Sequence, residues 1–122
     1  MGKKILVVDD DVRIVQLLEK RLTAHGFAVI TAGDGREGVA KAKREMPDLI
    51  IMDIMMPEVD GTEAARMIRE DAKTKNIPLI YLTALKEEHD SAVESTIGPD
   101  IVMGKPFNAD ELLSKIKWLI GE

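Results

Sequence analysis

The stretch ILVVDDDVRIVQLLEKRLTAHG, residues 5–26, decides the fold. Ile5-Leu6-Val7-Val8 is a continuous apolar run of strand length, the form taken by a strand buried on both faces. Three aspartates, Asp9, Asp10 and Asp11, interrupt it. From Val12 to Ala24 the apolar residues Ile14, Leu17, Leu18 and Leu22 recur at helical spacing, and Gly26 supplies a C-terminal stop. A buried strand, an acidic turn and an amphipathic helix thus follow one another within 22 residues.

The same unit recurs along the chain. Phe27–Thr31 reads as a second strand and Gly35–Glu45 as a helix closed by Met46-Pro47. Leu49–Met52 is a third apolar run and again meets an aspartate, Asp53. Thr62–Glu70 resumes helical period. Pro78–Leu82 forms a fourth strand ending at Thr83, followed by a weaker, polar helical segment over Glu87–Thr96. Ile101–Met103 is the fifth strand, and Asn108 with Glu111 three residues later forms a capping box for a last helix. Five βα units with short connections predict an α/β protein of the (βα)5 doubly wound type, a single parallel five-stranded sheet with helices on both faces and right-handed crossovers. No linker divides the chain, so residues 1–122 read as one domain.

Bulk properties narrow the function. The chain has 122 residues, 45% hydrophobic and 32% charged, with a formal net charge of −5. That balance lacks the basic footprint of a nucleic-acid binder. Apolar runs of four or five residues are too short to span a bilayer. The start, Met1-Gly2-Lys3-Lys4, has no apolar h-region, so no secretory signal is read. Cysteine is absent, which removes disulfides and thiolate metal sites and fits a cytoplasmic location.

Ligands of open α/β sheets bind outside the carboxyl ends of the strands. At those ends the sequence places Asp9, Asp10 and Asp11 after the first strand, Asp53 after the third, Thr83 after the fourth, and Lys105-Pro106 after the fifth. Clustered carboxylates repel one another unless a cation or a donor lies among them. Oxygen ligands suit Mg²⁺. A hydroxyl and an ammonium are donors for phosphoryl oxygens, and a carboxylate beside a cation can act as a nucleophile toward phosphorus. Taken singly, each residue also has a plain structural role: aspartates cap helices, Thr83 can bond backbone, and Lys105 can be a surface charge. Their shared position at one sheet edge is what favours chemistry.

Four segments, VVDD (Val7–Asp10), MDIMMPEVDG (Met52–Gly61), YLTA (Tyr81–Ala84) and GKPF (Gly104–Phe107), together resemble the receiver domain of two-component response regulators. The resemblance runs from Lys4 to about Leu119 and implies the flavodoxin-like strand order 2-1-3-4-5. It implies Asp53 as phosphoacceptor, and Mg²⁺ held by Asp10, by Asp53 and by the backbone carbonyl of Met55, with Asp9 acting mostly through water. It implies Thr83 and Lys105 as partners of the phosphoryl group, and a cis peptide at Lys105–Pro106, an X–Pro bond. Asp11, one residue past the motif, is expected to cap or open the first helix.

A receiver of this kind is expected to take a phosphoryl group from a partner histidine kinase or phosphotransfer protein. It would modify itself and would not be an ordinary enzyme. It would then engage a downstream protein target or effector domain, without direct contact to nucleic acid or membrane. Phosphorylation-dependent dimerisation through the fourth helical segment, the fifth strand and the last helix is also implied. For a chain complete at 122 residues, protein–protein contact is the expected output. The competing reading is a degenerate receiver acting as a constitutive protein-binding module. A flavin-binding domain fits poorly, because the acids after the first strand repel phosphate. An aspartyl phosphatase would need further catalytic groups and a larger cap.

Two positions depart from the family pattern. Val102 stands three residues before the lysine, where relatives carry the aromatic half of the switch. Met55 and Leu85, two past the acceptor and two past the threonine, stand where relatives often carry polar groups that position hydrolytic water, so slow self-dephosphorylation is expected. His25 is read as a helix-terminal residue, His89 as part of a charged segment, and the seven methionines mainly as core filler. In the last helix Leu112, Leu113, Ile116, Leu119 and Ile120 share one face. At about 100° per residue Trp118 points roughly 150° from that face, so it is expected at the surface, as a lone aromatic or a contact point.

Overall fold

The computed structural model describes residues 2–54, 56, 60–83, 101–104 and 107–121. In chain order the elements are β1 (Lys4–Val8), α1 (Val12–Ala24), β2 (Ala28–Ala32), α2 (Gly35–Glu45), β3 (Leu49–Asp53), α3 (Gly61–Glu70), β4 (Leu79–Thr83), β5 (Ile101–Gly104) and α4 (Ala109–Ile120). The strands form one parallel sheet in the order β2-β1-β3-β4-β5, the order expected. The helix expected over Glu87–Thr96 lies outside the described residues, so four helices are seen.

The apolar runs read as two-sided strands are two-sided. Alternation along each strand sends side chains to opposite faces. Leu6, Val8, Ile50, Met52, Leu79 and Tyr81 pack with Val39 and Ala42 of α2 and with Ala64, Ala65 and Ile68 of α3. Ile5, Val7, Leu49, Ile51, Ile80 and Leu82 pack with Leu18 and Leu22 of α1 and with Leu112, Leu113 and Ile116 of α4. The helices therefore cover both faces, as parallel strands require. Truncating one central residue, as in Ile51→Ala, is expected to cost about 2–5 kcal/mol.

Local chemistry accounts for the small shifts in element ends. β2 starts one residue later than expected, because the Phe27 N–H still bonds back to the Leu22 carbonyl of the helix exit, and the ladder opens with Ala28 N–H to the Lys3 carbonyl. Gly26 at φ +89° makes that exit. β4 begins after Pro78, which has no N–H to give but whose carbonyl accepts from Ile50 N–H. β3 and β5 each run one residue further than expected, to Asp53 and Gly104, and β4 ends at Thr83. α3 starts at Gly61 because Asp60, not Gly61, is its cap, accepting from Glu63 N–H at 2.9 Å. The capping expected at Asn108 is present: its Oδ1 accepts from Glu111 N–H at 2.9 Å.

Register sets the site. Val8 pairs with both Ala32 and Met52, Asp53 with Leu82, and Thr83 with Gly104. The residues just past β1 and the last residue of β3 therefore come level at one edge.

Candidate functional site

β1 ends at Val8, and its ladder hydrogen bonds continue one step further, Asp9 N–H donating to the Ala32 carbonyl at 3.1 Å. That contact draws Asp9 into the sheet edge, where it is 2% exposed. Its Oδ1 accepts from Asp11 N–H at 2.8 Å, so the turn after β1 is tied to the first acid in it. Asp10, next in line, is exposed. Asp53 closes β3 and is 4% exposed. One carboxylate oxygen each from Asp9, Asp10 and Asp53 lies within 4.8 Å of the others. A cavity of about 140 Å³ opens beside this cluster, walled by Val12, Val15, Thr31 and Gly33 together with Asp9 and Asp10.

The third acid after β1 has a different task. Asp11 is the N-cap of α1, with Oδ1 accepting from Arg13 N–H at 2.9 Å. That backbone donor, aided by the Arg13 guanidinium, holds the Asp11 carboxyl below its ordinary range. Two of the three aspartates thus join Asp53, and the third belongs to the helix.

The donor set fits a hard divalent cation. It consists of oxygen atoms only, three carboxylates converge, and two of them are buried where like charge is poorly screened. Asp9, Asp10 and Asp53 are the residues that would hold Mg²⁺.

Of the other expected site residues, Thr83 is the last residue of β4, level with Gly104. Met55, Lys105 and the Lys105–Pro106 bond lie outside the described residues, as do Leu85 and His89. Val102 is half-buried on β5, paired with Tyr81, and packs against the core on the α2 and α3 face. His25 ends α1, its Nδ1 2.9 Å from the Arg21 carbonyl. Met52, Met56 and Met103 are buried as expected of core residues, whereas Met46 is exposed at the left-handed C-terminus of α2. Trp118 is 77% exposed, in the orientation the helical spacing predicts.

Sequence reasoning left one residue of this region without a role. Gly61 opens α3 directly against the end of β3, its N–H donating to the Ile54 carbonyl at 2.9 Å. The signals available were its place at the end of the MDIMMPEVDG segment and the Asp60-Gly61 pair ahead of a helical segment, which reads as a cap, and neither says anything of tertiary contact.

Comparison with known proteins agrees with this geometry. The family model described as "Response regulator receiver domain" matches residues 5–117. The alkaline phosphatase synthesis transcriptional regulatory protein PhoP of Bacillus subtilis is 42% identical over 120 residues, covering 98% of this chain and 49% of its own length. A DNA-binding dual master transcriptional regulator of Synechocystis is 38% identical over 96% of this chain and 48% of its own length. The chain spans about half the length of these curated relatives. Among solved structures, the receiver domain of a sensor histidine kinase from Pseudomonas aeruginosa, described with a magnesium ion coordinated in its active-site cleft, superposes with a TM-score of 0.91 at 32% identity, covering 100% of both chains. The chemotaxis protein CheY4 of Vibrio cholerae superposes at 0.89 with 33% identity, covering 98% of this chain and 99% of its own. With the sheet order, the acid cluster at the ends of β1 and β3 and a family match over nearly the whole length in agreement, this chain belongs to the receiver domains of two-component response regulators.

Proposed function

We propose that this chain is a phosphorylation-driven switch in which Asp53 accepts a phosphoryl group from a histidine kinase or phosphotransfer protein. The observation that carries this is the convergence of Asp9, Asp10 and Asp53 within 4.8 Å at the carboxyl edge of the sheet. In the transfer an Asp53 carboxylate oxygen attacks phosphorus, and an acyl-phosphate bond forms. The bond from phosphorus to the donor's nitrogen or oxygen breaks, and its electron pair leaves with the donor. The ionised carboxylate has no proton to lose, so no general base is needed.

Mg²⁺, held by Asp10, Asp53 and the carbonyl of Met55, with Asp9 contributing through water, would neutralise the facing carboxylates and the incoming phosphoryl oxygens. Asp9 is oriented for this by the Asp11 N–H. Thr83 and Lys105 are assigned the phosphoryl oxygens as donor and counter-charge. The chain acts on itself, in the cytoplasm, and its phosphorylated form engages a protein target or an effector domain. Relatives of twice the length named as transcriptional regulators support an effector that acts on transcription. The surface of α4, where Trp118 is exposed, with β5 and the helical segment expected before it, is the proposed place for that engagement or for dimerisation.

The test is intact mass after incubation with Mg²⁺ and acetyl phosphate. Wild type is expected to gain one phosphoryl group. Asp53→Asn and chelator-treated wild type are expected to gain none. An unmodified wild type, under conditions that modify another receiver, would leave a constitutive binding module as the better description.

A further inference from the structure

Gly61 meets the acceptor strand more closely than any residue with a side chain could. A Cβ placed on it would fall against the Asp53 carbonyl oxygen and 2.7 Å from the Ile54 Cα. Both are backbone atoms and cannot rotate aside. Gly38 makes a useful contrast. A Cβ there would meet the Val8 methyls at 2.8 and 2.9 Å, which are side-chain ends that can move. Gly61 is not among the positive-φ glycines, Gly26 and Gly121, so space and not backbone conformation demands glycine. The same junction is closed by hydrogen bonds, since the Ile54 carbonyl accepts from both Gly61 N–H at 2.9 Å and Met56 N–H at 3.2 Å.

We propose that Gly61 is a positioning residue for the acceptor: its missing side chain lets the N-terminus of α3 seat on the Asp53–Ile54 backbone, and that seat sets where the Asp53 carboxylate stands relative to Asp9 and Asp10. The inference rests on Asp53 being the phosphoacceptor. A Cβ at position 61 must push α3 and the end of β3 apart. Asp9 is also anchored to β2 and to the turn after β1, anchors that lie away from the α3 contact. The three carboxylates then no longer converge.

The experiment compares wild type, Gly61→Ala, Asp53→Asn, and Ile116→Val and Ile116→Ala, which loosen the opposite core layer and bracket the stability of Gly61→Ala. Each is titrated with Mg²⁺ alone by calorimetry, and the rate of phosphorylation by acetyl phosphate is read separately. Gly61→Ala is expected to bind Mg²⁺ at least about tenfold more weakly, the scale typical of outer-sphere positioning groups, and to be phosphorylated more slowly, while both Ile116 variants keep wild-type values. Wild-type Mg²⁺ affinity and rate in Gly61→Ala would overturn the proposal, as would equal losses in an Ile116 variant of matched stability. If wild type is not phosphorylated, the acceptor assignment fails, and the Mg²⁺ titration alone judges Gly61. If Gly61→Ala does not fold in buffer, all variants are titrated in trimethylamine N-oxide, which favours burial.

Discussion

The turns after β1 and after β2 begin differently and end alike. After β2 comes Asp34, whose Oδ1 accepts from Glu37 N–H at 2.8 Å and caps α2. After β1 comes Asp11, which caps α1 by accepting from Arg13 N–H at 2.9 Å. One aspartate per turn suffices to cap a helix. The turn after β1 carries two more, and the neighbouring β3 ends in another. Among the described residues no helix cap accounts for Asp9, Asp10 and Asp53, yet two of them are buried and all three converge. On the proposed function, the acids beyond the capping requirement are the ones that build the site.

That contrast can be broken at its strongest point by exchanging function for capping. Asp53→Asn is expected to abolish phosphorylation, while Asp34→Asn, which keeps a capping oxygen, leaves it unchanged; the rate with acetyl phosphate reads both. A phosphorylated Asp53→Asn, or an Asp34→Asn that is inactive while folded, would erase the distinction.

Stability without metal should separate the two regions with opposite signs. Asp34→Ala loses a cap and is expected to cost about 1 kcal/mol in urea unfolding. Asp10→Asn relieves like-charge repulsion in the cluster and is expected to raise the metal-free midpoint. Destabilisation by both would mean that Asp10 serves structure.

The phosphorylated state offers a sharper view of the β1 and β3 edge. Met55→Asn with Leu85→Glu is expected to shorten the lifetime of phospho-Asp53 several-fold, by giving the hydrolytic water polar neighbours. An unchanged lifetime would contradict the account of slow self-dephosphorylation.

The smallest effect belongs to the β2 turn and is one of pH. Gly33 N–H donates to Glu37 Oε1 at 2.8 Å and Lys41 pairs with the same carboxylate, so Glu37 is held below its ordinary range, by the backbone donor first and Lys41 second. A depressed carboxylate stabilises the fold above its unfolded pKa, near 4, and that contribution is lost as pH falls through the lower folded value. Because Glu37 is half exposed, a few tenths of a kcal/mol are at stake. Glu37→Gln should flatten the acid limb of the unfolding midpoint slightly; an unaltered limb would show that the pair contributes nothing.

Much of this was legible in the chain. Two-sided burial follows from continuous apolar runs alternating with helical periods, the strand order from the resemblance to receiver domains, and the acid edge from where those runs stop. Trp118 could be placed outside from spacing alone. What escaped were tertiary approaches. Nothing in the Asp60-Gly61 pair says that α3 will seat on the Asp53 backbone, and reading the methionines mainly as core filler did not set apart Met46, exposed at a left-handed helix end. Division of labour among three consecutive aspartates was only partly readable: Asp11 could be assigned to the helix, but the burial of Asp9 depends on its bond to Ala32, far off in sequence.

The most direct test of the central claim is a calorimetric Mg²⁺ titration of wild type, Asp10→Asn and Asp34→Asn. One Mg²⁺ per chain is expected in wild type and in Asp34→Asn with the same affinity, and binding weakened at least about tenfold in Asp10→Asn, since loss of an outer-sphere partner alone costs that much. Equal affinity in all three, or no binding in any, would contradict the claim that the acids beyond the capping requirement build the site.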